Sequence, residues 1–438
     1  MLRRIKIRGY KSLADISLEL QPLTVLFGPN AAGKSNFLDA LQLLSRTAVS
    51  HNLKAAFEPP YRGTPLESFT FPRDGVQGLL KRQSASFGIE VDVEISPAVA
   101  RAVDRQVREM KRGRAAEEAE GQREQRFVRR KLMRYRLELE ILPKSGILRV
   151  ADEYLAALTP KGEPTRSPLP FLERVGDKLH LRMEGQAHPT YYDRCLDHTI
   201  LSRPLYPPHY PHLVAMRQEL ASWLFFYFEP RVRMRAPSLV KEADHIGLMG
   251  EDLATYLNTL RAVDEPQFRA LEKTLASIIP SVTGIDVAVN SLGEVELRLL
   301  EGGIPVPSRV LSEGTLRVLG LLALGGAKEP PGLIGIEEPE NGVHPGRIRR
   351  IAELLTARAG AGDTQLIVTT HSPILPDMIP DQFLYVCRRV QGRTRVESFS
   401  SWGALGRRPD IERVLDTEEE ALPVSQRILR GDFDEPAG

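Results

Sequence analysis

Residues 22–46 read PLTVLFGPNAAGKSNFLDALQLLSR, and the rest of the chain is organised around them. The apolar run Leu23–Phe27 predicts a buried strand, and the residues from Gly28 to Ser35 match G-x-x-x-x-G-K-[ST] in full. Apolar residues at helical spacing follow, beginning with Phe37 and Leu38. Strand, glycine loop and helix together form the context that a phosphate-binding loop requires.

Each residue type in this loop suits the binding of phosphate. Glycines allow backbone N–H groups to curl around the phosphates, and the start of the following helix adds the positive end of its dipole. We expect Lys34 to reach the β- and γ-phosphates and the Ser35 hydroxyl to bind Mg²⁺. A glycine-rich turn that fits the pattern by chance is the alternative, and motifs later in the chain count against it.

Composition bounds the class of protein. The 438 residues suffice for two or three domains, and a content of 42% hydrophobic and 26% charged residues is typical of soluble proteins. The net charge of +2 favours no particular partner. Cys195 and Cys387 lie far apart and no CxxC occurs, which excludes a zinc hook. Without a secretion signal or an apolar run of about 20 residues, we expect a cytoplasmic protein with no membrane partner.

Periodicity predicts the elements that flank the loop. Met1–Leu20 alternates and predicts a β-hairpin joined at Leu13–Asp15, with Tyr10-Lys11-Ser12 at the bend. Residues 50–83 are rich in Pro, Gly and aromatics and predict irregular surface. Further strands are predicted at 86–95, 133–142, 146–158, 223–228, 284–300 and 304–310, and helices at 251–261 and 265–279.

The segment Ala98–Leu132 differs in kind, because it is mostly charged and has few apolar residues. The pattern favours a solvated helical projection or a partly disordered excursion over a core helix. A basic cluster ends this segment, and it is either a footprint for DNA or a solvated charged face. Its residues are Arg129, Arg130, Lys131, Arg134 and Arg136, with Arg123 and Arg126 ahead of them. A stretch of His, Pro and Tyr at 203–212 invites a metal site, but its prolines and its lack of nearby carboxylates argue against one.

Three further motifs appear in a fixed order in the second half of the chain. The sequence Leu311–Arg317, LSEGTLR, precedes an apolar helix, and a Ser and a Gly at a helix start can offer donors to phosphate. The apolar strand 332–336 ends in Glu337 and Glu338, so that one acid can hold Mg²⁺ while the next polarises the attacking water. A further strand, 365–368, ends in TTHSP, which places His371 where it can contact a γ-phosphate.

Together these motifs resemble the ABC-type ATPase heads of the SMC/RecF superfamily, and more narrowly the AAA_21 group related to the OLD family. GPNAAGKSN resembles the Walker A, LSEGTLR a degenerate signature, IEEPENGVHP the Walker B with its D-loop, and TTHSP the switch histidine. IKIRGYKSL resembles the N-terminal strand whose bend packs near adenine. The likeness covers residues 1–50, 85–95 and 223–400, and it hardly constrains 96–222.

The resemblance implies an α/β fold: an ABC-type ATPase head, with the mixed sheet of a P-loop NTPase, an antiparallel β-subdomain and a large insertion. We expect the N-terminal half of the head at 1–95, the insertion at 96–222 and the C-terminal half at 223–438. The implied cofactors are ATP and Mg²⁺. Implied nucleotide-binding residues are Lys11, Ser12, Gly28, Pro29, Asn30, Ala31, Ala32, Gly33, Lys34, Ser35 and Asn36. Implied residues for catalysis are Glu338 and His371, for metal Ser35 and Glu337, and for the signature acting in trans Ser312, Glu313 and Gly314.

Two positions depart from the family pattern. Glu337 stands where a Walker B Asp is usual, and its longer side chain can still bind Mg²⁺. The best candidate for the Q-loop residue is Gln83, although a surface glutamine explains it better.

Heads of this class hold ATP between two subunits, so the resemblance implies a homodimer or higher oligomer acting as a nucleotide switch. The short charged segment cannot form long coiled-coil arms, and we expect no Toprim nuclease domain. The effector, a nuclease or toxin, is therefore expected to be a separate protein. Phage defence triggered by DNA and RecF-like DNA repair remain alternatives, and a transporter subunit fits poorly because LSEGT and EEPEN differ from transporter motifs.

Overall fold

The computed structural model describes residues 1–112, 126–184, 189–193, 196–325, 330–402 and 423–433. The chain forms two compact units. The first unit comprises Met1–Gln21, Ser35–Trp223 and Arg389–Val396, and the second comprises Pro22–Lys34, Leu224–Arg388 and Glu397–Gly438. Within the described ranges, no helix is long and apolar enough to cross a membrane.

Strands and helices are numbered here in chain order. The strands are β1 (Leu2–Tyr10), β2 (Leu13–Glu19), β3 (Leu23–Phe27), β4 (Ala85–Glu94), β5 (Leu132–Leu142), β6 (Ile147–Ala157), β7 (Leu172–Val175), β8 (Lys178–Leu181), β9 (Thr190–Tyr192), β10 (Trp223–Phe226), β11 (Ser238–Leu239), β12 (Val282–Val289), β13 (Glu294–Glu301), β14 (Ile304–Pro307), β15 (Leu333–Glu337), β16 (Gln365–Thr370), β17 (Leu384–Val390) and β18 (Arg393–Ser398). The helices are α1 (Lys34–Val49), α2 (Leu53–Ala56), α3 (Gly75–Leu80), α4 (Pro97–Arg112), α5 (Pro211–Ala221), α6 (Leu253–Val263), α7 (Glu265–Ile278), α8 (Glu313–Leu322), α9 (Pro345–Gly360) and α10 (Val424–Leu429).

The first unit is built on an eight-stranded sheet in the order β2-β1-β4-β5-β6-β7-β8-β9, with antiparallel neighbours. Its N-terminal hairpin is as predicted, with Ile7 opposite Ile16. The predicted position of the turn was wrong, because Leu13 already lies in β2 and pairs with Tyr10. The turn is instead Lys11-Ser12, where Lys11 adopts a left-handed φ of 45° that suits the tight connection.

The charged segment has a packed face that the sequence analysis missed. Helix α4 buries Ala100, Val103 and Val107, which recur at helical spacing, and it packs against α5. The prediction of a helix without a core face was therefore wrong for this part, since three small apolar residues suffice to make one stripe. Residues 113–125 of the charged segment lie outside the described residues.

The second unit contains strands β10, β15, β16, β3 and β17, which are neighbours in that order in one sheet. Strands β15, β16, β3 and β17 run parallel, and their apolar residues are buried on both faces, as continuous apolar runs predict. The unit also contains a smaller sheet, β11-β13-β12 with β14 beside β13, and helices α6 to α10. Because parallel strands place their carboxyl ends at one edge, the residues that follow β3, β15 and β16 meet there.

A buried carboxylate stabilises the first unit. Glu153 on β6 is fully buried and accepts hydrogen bonds from the Tyr135 hydroxyl at 2.9 Å, the Ile200 N–H at 2.6 Å and the Leu201 N–H at 3.1 Å. Burial raises the pKa of Glu153 to about 7, against the hydrogen bonds that favour the charged form.

This raised pKa predicts a pH-dependent stability. A group with a higher pKa in the folded state contributes stability at low pH that is lost as the pH rises through its folded pKa. We expect the free energy of unfolding to fall by up to about 3 kcal/mol between pH 4.5 and 7.5, and Glu153→Gln to remove most of that slope. Urea denaturation at both pH values measures it, with Glu138→Gln as a control on a side chain that keeps access to solvent. Equal slopes in wild type and Glu153→Gln would contradict the assignment.

Candidate nucleotide-binding site

The predicted phosphate loop lies between β3 and α1, as the sequence indicates. Gly28 has φ +146°, and a Cβ there would lie 2.0 Å from the carbonyl oxygen of Cys387, so only glycine fits. Ala31 and Gly33 also have positive φ values, of 62° and 99°. The backbone therefore reverses tightly and enters a 16-residue helix, whose first N–H groups lack partners within the helix and suit an anion.

Lys34 folds back over this loop. Its ammonium donates to the carbonyl oxygens of Gly28 at 2.7 Å and Pro29 at 2.8 Å, and only 7% of the residue is exposed. Burial lowers the pKa of Lys34, while Cys387 and the carboxylates of Glu338 and Glu337 act in the opposite direction. A buried ammonium bound to neutral carbonyls gains most from an anionic ligand, as the predicted role requires.

Other predicted nucleotide-binding residues lie in the first unit and already have partners there. The Asn36 amide donates to the Ser12 hydroxyl at 2.8 Å, and that hydroxyl lies 2.6 Å from the hydroxyl of Thr394. The Lys11 ammonium is 2.7 Å from the carboxylate of Asp39. The structure thus joins Ser12 to Asn36, a contact that the sequence did not reveal, and the nucleotide-binding roles of Lys11 and Ser12 stay predictions.

The predicted Walker B acids follow β15 at the edge where β16 also ends. Glu337 is the last residue of the strand, whereas Glu338 has a left-handed φ of 49° and donates its N–H to the Thr369 carbonyl at 2.8 Å. Strand β15 ends at Glu337, so Glu338 lies beyond the strand. The left-handed turn orients Glu338, and its carboxylate lies 2.7 Å from Nδ1 of His371.

This contact joins two motifs that are 33 positions apart in the chain. About a third of the Glu338 side chain (34%) and 42% of the His371 side chain are exposed, so water reaches both. A carboxylate hydrogen-bonded to an imidazole is held in one orientation, and the imidazole in turn has a fixed tautomer or charge. The pair can therefore hold and pass a proton at a site open to water.

A third acid of the EEPEN motif was missed by the sequence analysis. Glu340 is 5% exposed, and it accepts a hydrogen bond from the Thr370 hydroxyl. That hydroxyl also accepts the Ser372 N–H at 2.9 Å, so the turn after β15 is tied to the turn after β16. Burial raises the pKa of Glu340. An acid at the end of an apolar strand was the available signal, although only the fold shows that it is buried.

The predicted signature begins α8 as expected. The Ser312 hydroxyl caps the helix by accepting the Thr315 N–H at 3.1 Å. A Cβ on Gly314 would lie 2.5 Å from the carbonyl oxygen of Gly342, so glycine is required where the signature meets the D-loop. The structure thus packs two of the predicted motifs, LSEGT and ENGVHP, against each other.

Arg317, one turn into α8, was also missed. It is 7% exposed, and its Nε has no hydrogen-bond partner among the described residues. Burial lowers the pKa of its guanidinium, and Glu338 contributes the largest opposing charge, followed by Glu313 and Glu340. The signature helix therefore places a buried cation within electrostatic reach of the Walker B acids.

Two family models and two relatives match this chain in whole or in part. The AAA_21 family model, described as "AAA domain, putative AbiEii toxin, Type IV TA system", matches residues 203–377, and the AAA_15 model, "AAA ATPase domain", matches residues 1–106. The OLD nuclease of Thermus scotoductus is 24% identical over 440 residues, covering 98% of this chain and 71% of that protein. The chromosome partition protein Smc of Desulfitobacterium hafniense is 38% identical over 78 residues, which cover 17% of this chain and 6% of that protein.

A solved structure shows the same fold. The SMC head bound to the C-winged helix domain of ScpA aligns with a TM-score of 0.50 at 12% identity, covering 90% of this chain and 97% of that chain. The chain is thus an α/β protein with the fold of an ABC-type ATPase head. More narrowly, its motifs, the two family models and the OLD nuclease make it similar to SMC/RecF-like ABC ATPases related to the OLD family.

The tight turn at Gly28 yields a first test of the phosphate loop. Gly28→Ala places a methyl group against the Cys387 carbonyl and must displace the loop, so we expect ATP affinity to fall at least about tenfold. Binding of a fluorescent ATP analogue measures this. Gly146→Ala is the matched control, since Gly146 also has a positive φ, but a Cβ there would meet no atom of the described residues within 4 Å. Wild-type affinity in Gly28→Ala would remove the close approach from the account.

Proposed function

We propose that this protein binds and hydrolyses ATP and acts as a dimeric nucleotide switch. The observation that carries the proposal is the contact of Glu338 with His371 at the sheet edge where β3 leads into the phosphate loop. A carboxylate held by an imidazole beside a phosphate-binding loop is the arrangement that water activation needs.

Different residues of the site would bind the phosphates and Mg²⁺. Backbone N–H groups of Gly28 and of residues 30–36 bind the phosphates, and the Lys34 ammonium exchanges its two carbonyl partners for β- and γ-phosphate oxygens. The Ser35 hydroxyl and the Glu337 carboxylate would hold Mg²⁺, for which hard oxygen donors are the fitting ligands. The ion, when bound, neutralises phosphate charge.

The acids at the end of β15 and just beyond it have different proposed roles in hydrolysis. Glu338 accepts a proton from the attacking water, and His371 orients its carboxylate and faces the γ-phosphate. Glu340 positions the turn through Thr370 without contacting the reacting atoms. This division of roles between Glu337 and Glu338 is supported by their different backbone conformations.

The signature completes the site from a second subunit. In the proposed dimer, Ser312, Glu313 and Gly314 of one chain face the nucleotide bound by Lys34 of the other. ATP binding then engages the heads and hydrolysis releases them, which is a two-state switch biased by the γ-phosphate. The packing of Gly314 against the D-loop supports this, because it fixes the signature to the segment that follows the Walker B acids.

The switch is proposed to control a separate effector, a nuclease or a toxin, in phage defence or abortive infection. The description of the AAA_21 model names a toxin of a toxin–antitoxin system. The relative that aligns with 98% of this chain is named a nuclease. RecF-like DNA repair is the alternative function. A nuclease or toxin gene beside this one favours defence, and recombination genes favour repair.

DNA is the proposed trigger, and the ion pairs of the basic cluster favour some of its residues over others as DNA contacts. Arg134 lies 2.6 Å from Asp92 and Arg136 lies 2.9 Å from Asp152, so these two arginines are neutralised within the sheet. Both arginines belong to the predicted basic cluster, but carboxylates compensate their charges. The neighbouring Arg129, Arg130 and Lys131 are exposed.

Salt dependence tests this reduced cluster. If the three exposed cations contact DNA phosphates, replacing all three by Ala should reduce the slope of log K against log[salt] by about 2–3. The matched control is the double variant Arg134→Ala and Arg136→Ala, which should keep the wild-type slope. A wild-type slope in the triple variant would exclude this surface.

The two Walker B acids are separated by their amide variants. Glu338→Gln keeps its shape and loses the base, so ATP should still bind while turnover falls by about 10²-fold or more, and the engaged dimer should accumulate. Glu337→Gln should instead weaken Mg²⁺-dependent binding itself. ATP turnover and light scattering with Mg-ATP measure both effects.

Lys34→Ala is the control for these measurements. It removes the charge that faces the phosphates, so it should neither bind ATP nor form the ATP-dependent dimer. Wild-type turnover in Glu338→Gln, or a trapped dimer in Glu337→Gln alone, would show that the two roles are assigned wrongly.

A further inference from the structure

The signature carries a negative charge where the proposed function places a phosphate. Glu313 follows Ser312 directly and begins α8. An ATP γ-phosphate facing this carboxylate would be repelled unless a cation accompanied it. The loop that precedes the second unit's small sheet supplies such a cation.

Arg231 lies against this carboxylate. Its Nε is 2.7 Å from Oε1 of Glu313, and 77% of the arginine side chain and 39% of the glutamate side chain are exposed. The hydrogen bond and charge of Glu313 raise the pKa of the guanidinium. An ion pair between two exposed side chains contributes little to the stability of the fold. The pair is therefore better explained by the guanidinium that it holds at the surface.

Hydrogen bonds to the Glu229 side chain hold the loop that carries Arg231. The Glu229 carboxylate accepts the N–H groups of Arg231 at 3.2 Å, Val232 at 3.1 Å and Arg233 at 2.9 Å. These three bonds fix the backbone on which the guanidinium stands.

The far end of the loop is fixed to the segment that leads into the signature. The Arg235 guanidinium donates to the carbonyl oxygens of Leu311 at 2.7 Å and Arg309 at 3.0 Å. The Ser308 hydroxyl donates to the Arg235 carbonyl at 3.0 Å. The loop and the signature are thus joined by hydrogen bonds, and a movement of either segment should displace the other.

We propose that Arg231 acts in trans, contacting the γ-phosphate of the nucleotide bound by the partner subunit, with Glu313 holding it in place until the heads engage. The inference rests on the proposed dimeric switch. On engagement the guanidinium exchanges a carboxylate for a phosphate, and both partners are anions that bind its planar donors well. The residue would therefore report the presence of the γ-phosphate to the signature loop.

Single variants test the contact first. Arg231→Ala should lower ATP turnover at least about tenfold and weaken dimer formation by Glu338→Gln chains, because a phosphate contact is lost. Arg233→Ala, an exposed arginine two positions along the same loop, should keep wild-type turnover. Arg231→Ala combined with Glu313→Gln should stay as slow as Arg231→Ala. Restored turnover in this combination would overturn the proposal, since Arg231 would then serve only to neutralise Glu313.

Mixing two inactive chains distinguishes action in trans from action in cis. Lys34→Ala chains cannot bind ATP but offer an intact Arg231, while Arg231→Ala chains bind ATP. An equal mixture should turn over ATP faster than the average of the two chains measured separately, because each mixed dimer has one site with Lys34 from one chain and Arg231 from the other. Turnover no higher than the average of the separate chains would contradict action in trans.

A parallel mixture shows which proposal has failed. Lys34→Ala chains mixed with Ser312→Ala chains test the shared site without involving Arg231. Recovery in this mixture without recovery in the Arg231 mixture rejects the role of Arg231 alone. Failure of both mixtures rejects the dimeric site on which the inference rests.

Discussion

Parallel pairing of β15, β16 and β3 is the constraint on which the rest of the site depends. In register, Glu337 lies beside Thr369 and Thr370 beside Phe27, so three strands end within one residue of each other. Everything that follows these strands is therefore delivered to one edge: the phosphate loop, the acids and the histidine. Because their apolar residues are buried on both faces, the strands cannot shift without exposing the core.

This edge concentrates buried charged side chains. Lys34 is buried against neutral carbonyls, Glu340 is buried with one oxygen unpartnered in the described part of the chain, and Arg317 is buried beside α8 with its Nε unpartnered there. Desolvated charges without ion pairs are costly, and they persist where a ligand of the right charge completes them. We therefore expect the buried charged side chains at this edge to change their partners when a nucleotide binds or leaves.

Sequence reasoning found the elements whose pattern is local. The strand 23–27, the loop that follows it, the capped helix at Ser312 and the apolar strands before Glu337 and His371 all carry their signals within a few residues. What it missed depends on distant parts of the chain. The αL turn at Glu338, the burial of Glu340 and Arg317, and the ion pairs of Arg134 and Arg136 arise only from tertiary packing. The buried stripe of α4 was hidden because its three small residues are outnumbered by charges.

In the proposed dimer, a single chain holds only half of the catalytic site. The most direct measurement is ATP turnover per chain at saturating Mg-ATP over a wide range of protein concentrations, with the mass distribution of the same samples determined by light scattering or mass photometry. The account predicts that turnover per chain follows the fraction of chains in dimers and vanishes where the protein is monomeric. Full turnover per chain in a sample that is monomeric with Mg-ATP would contradict it.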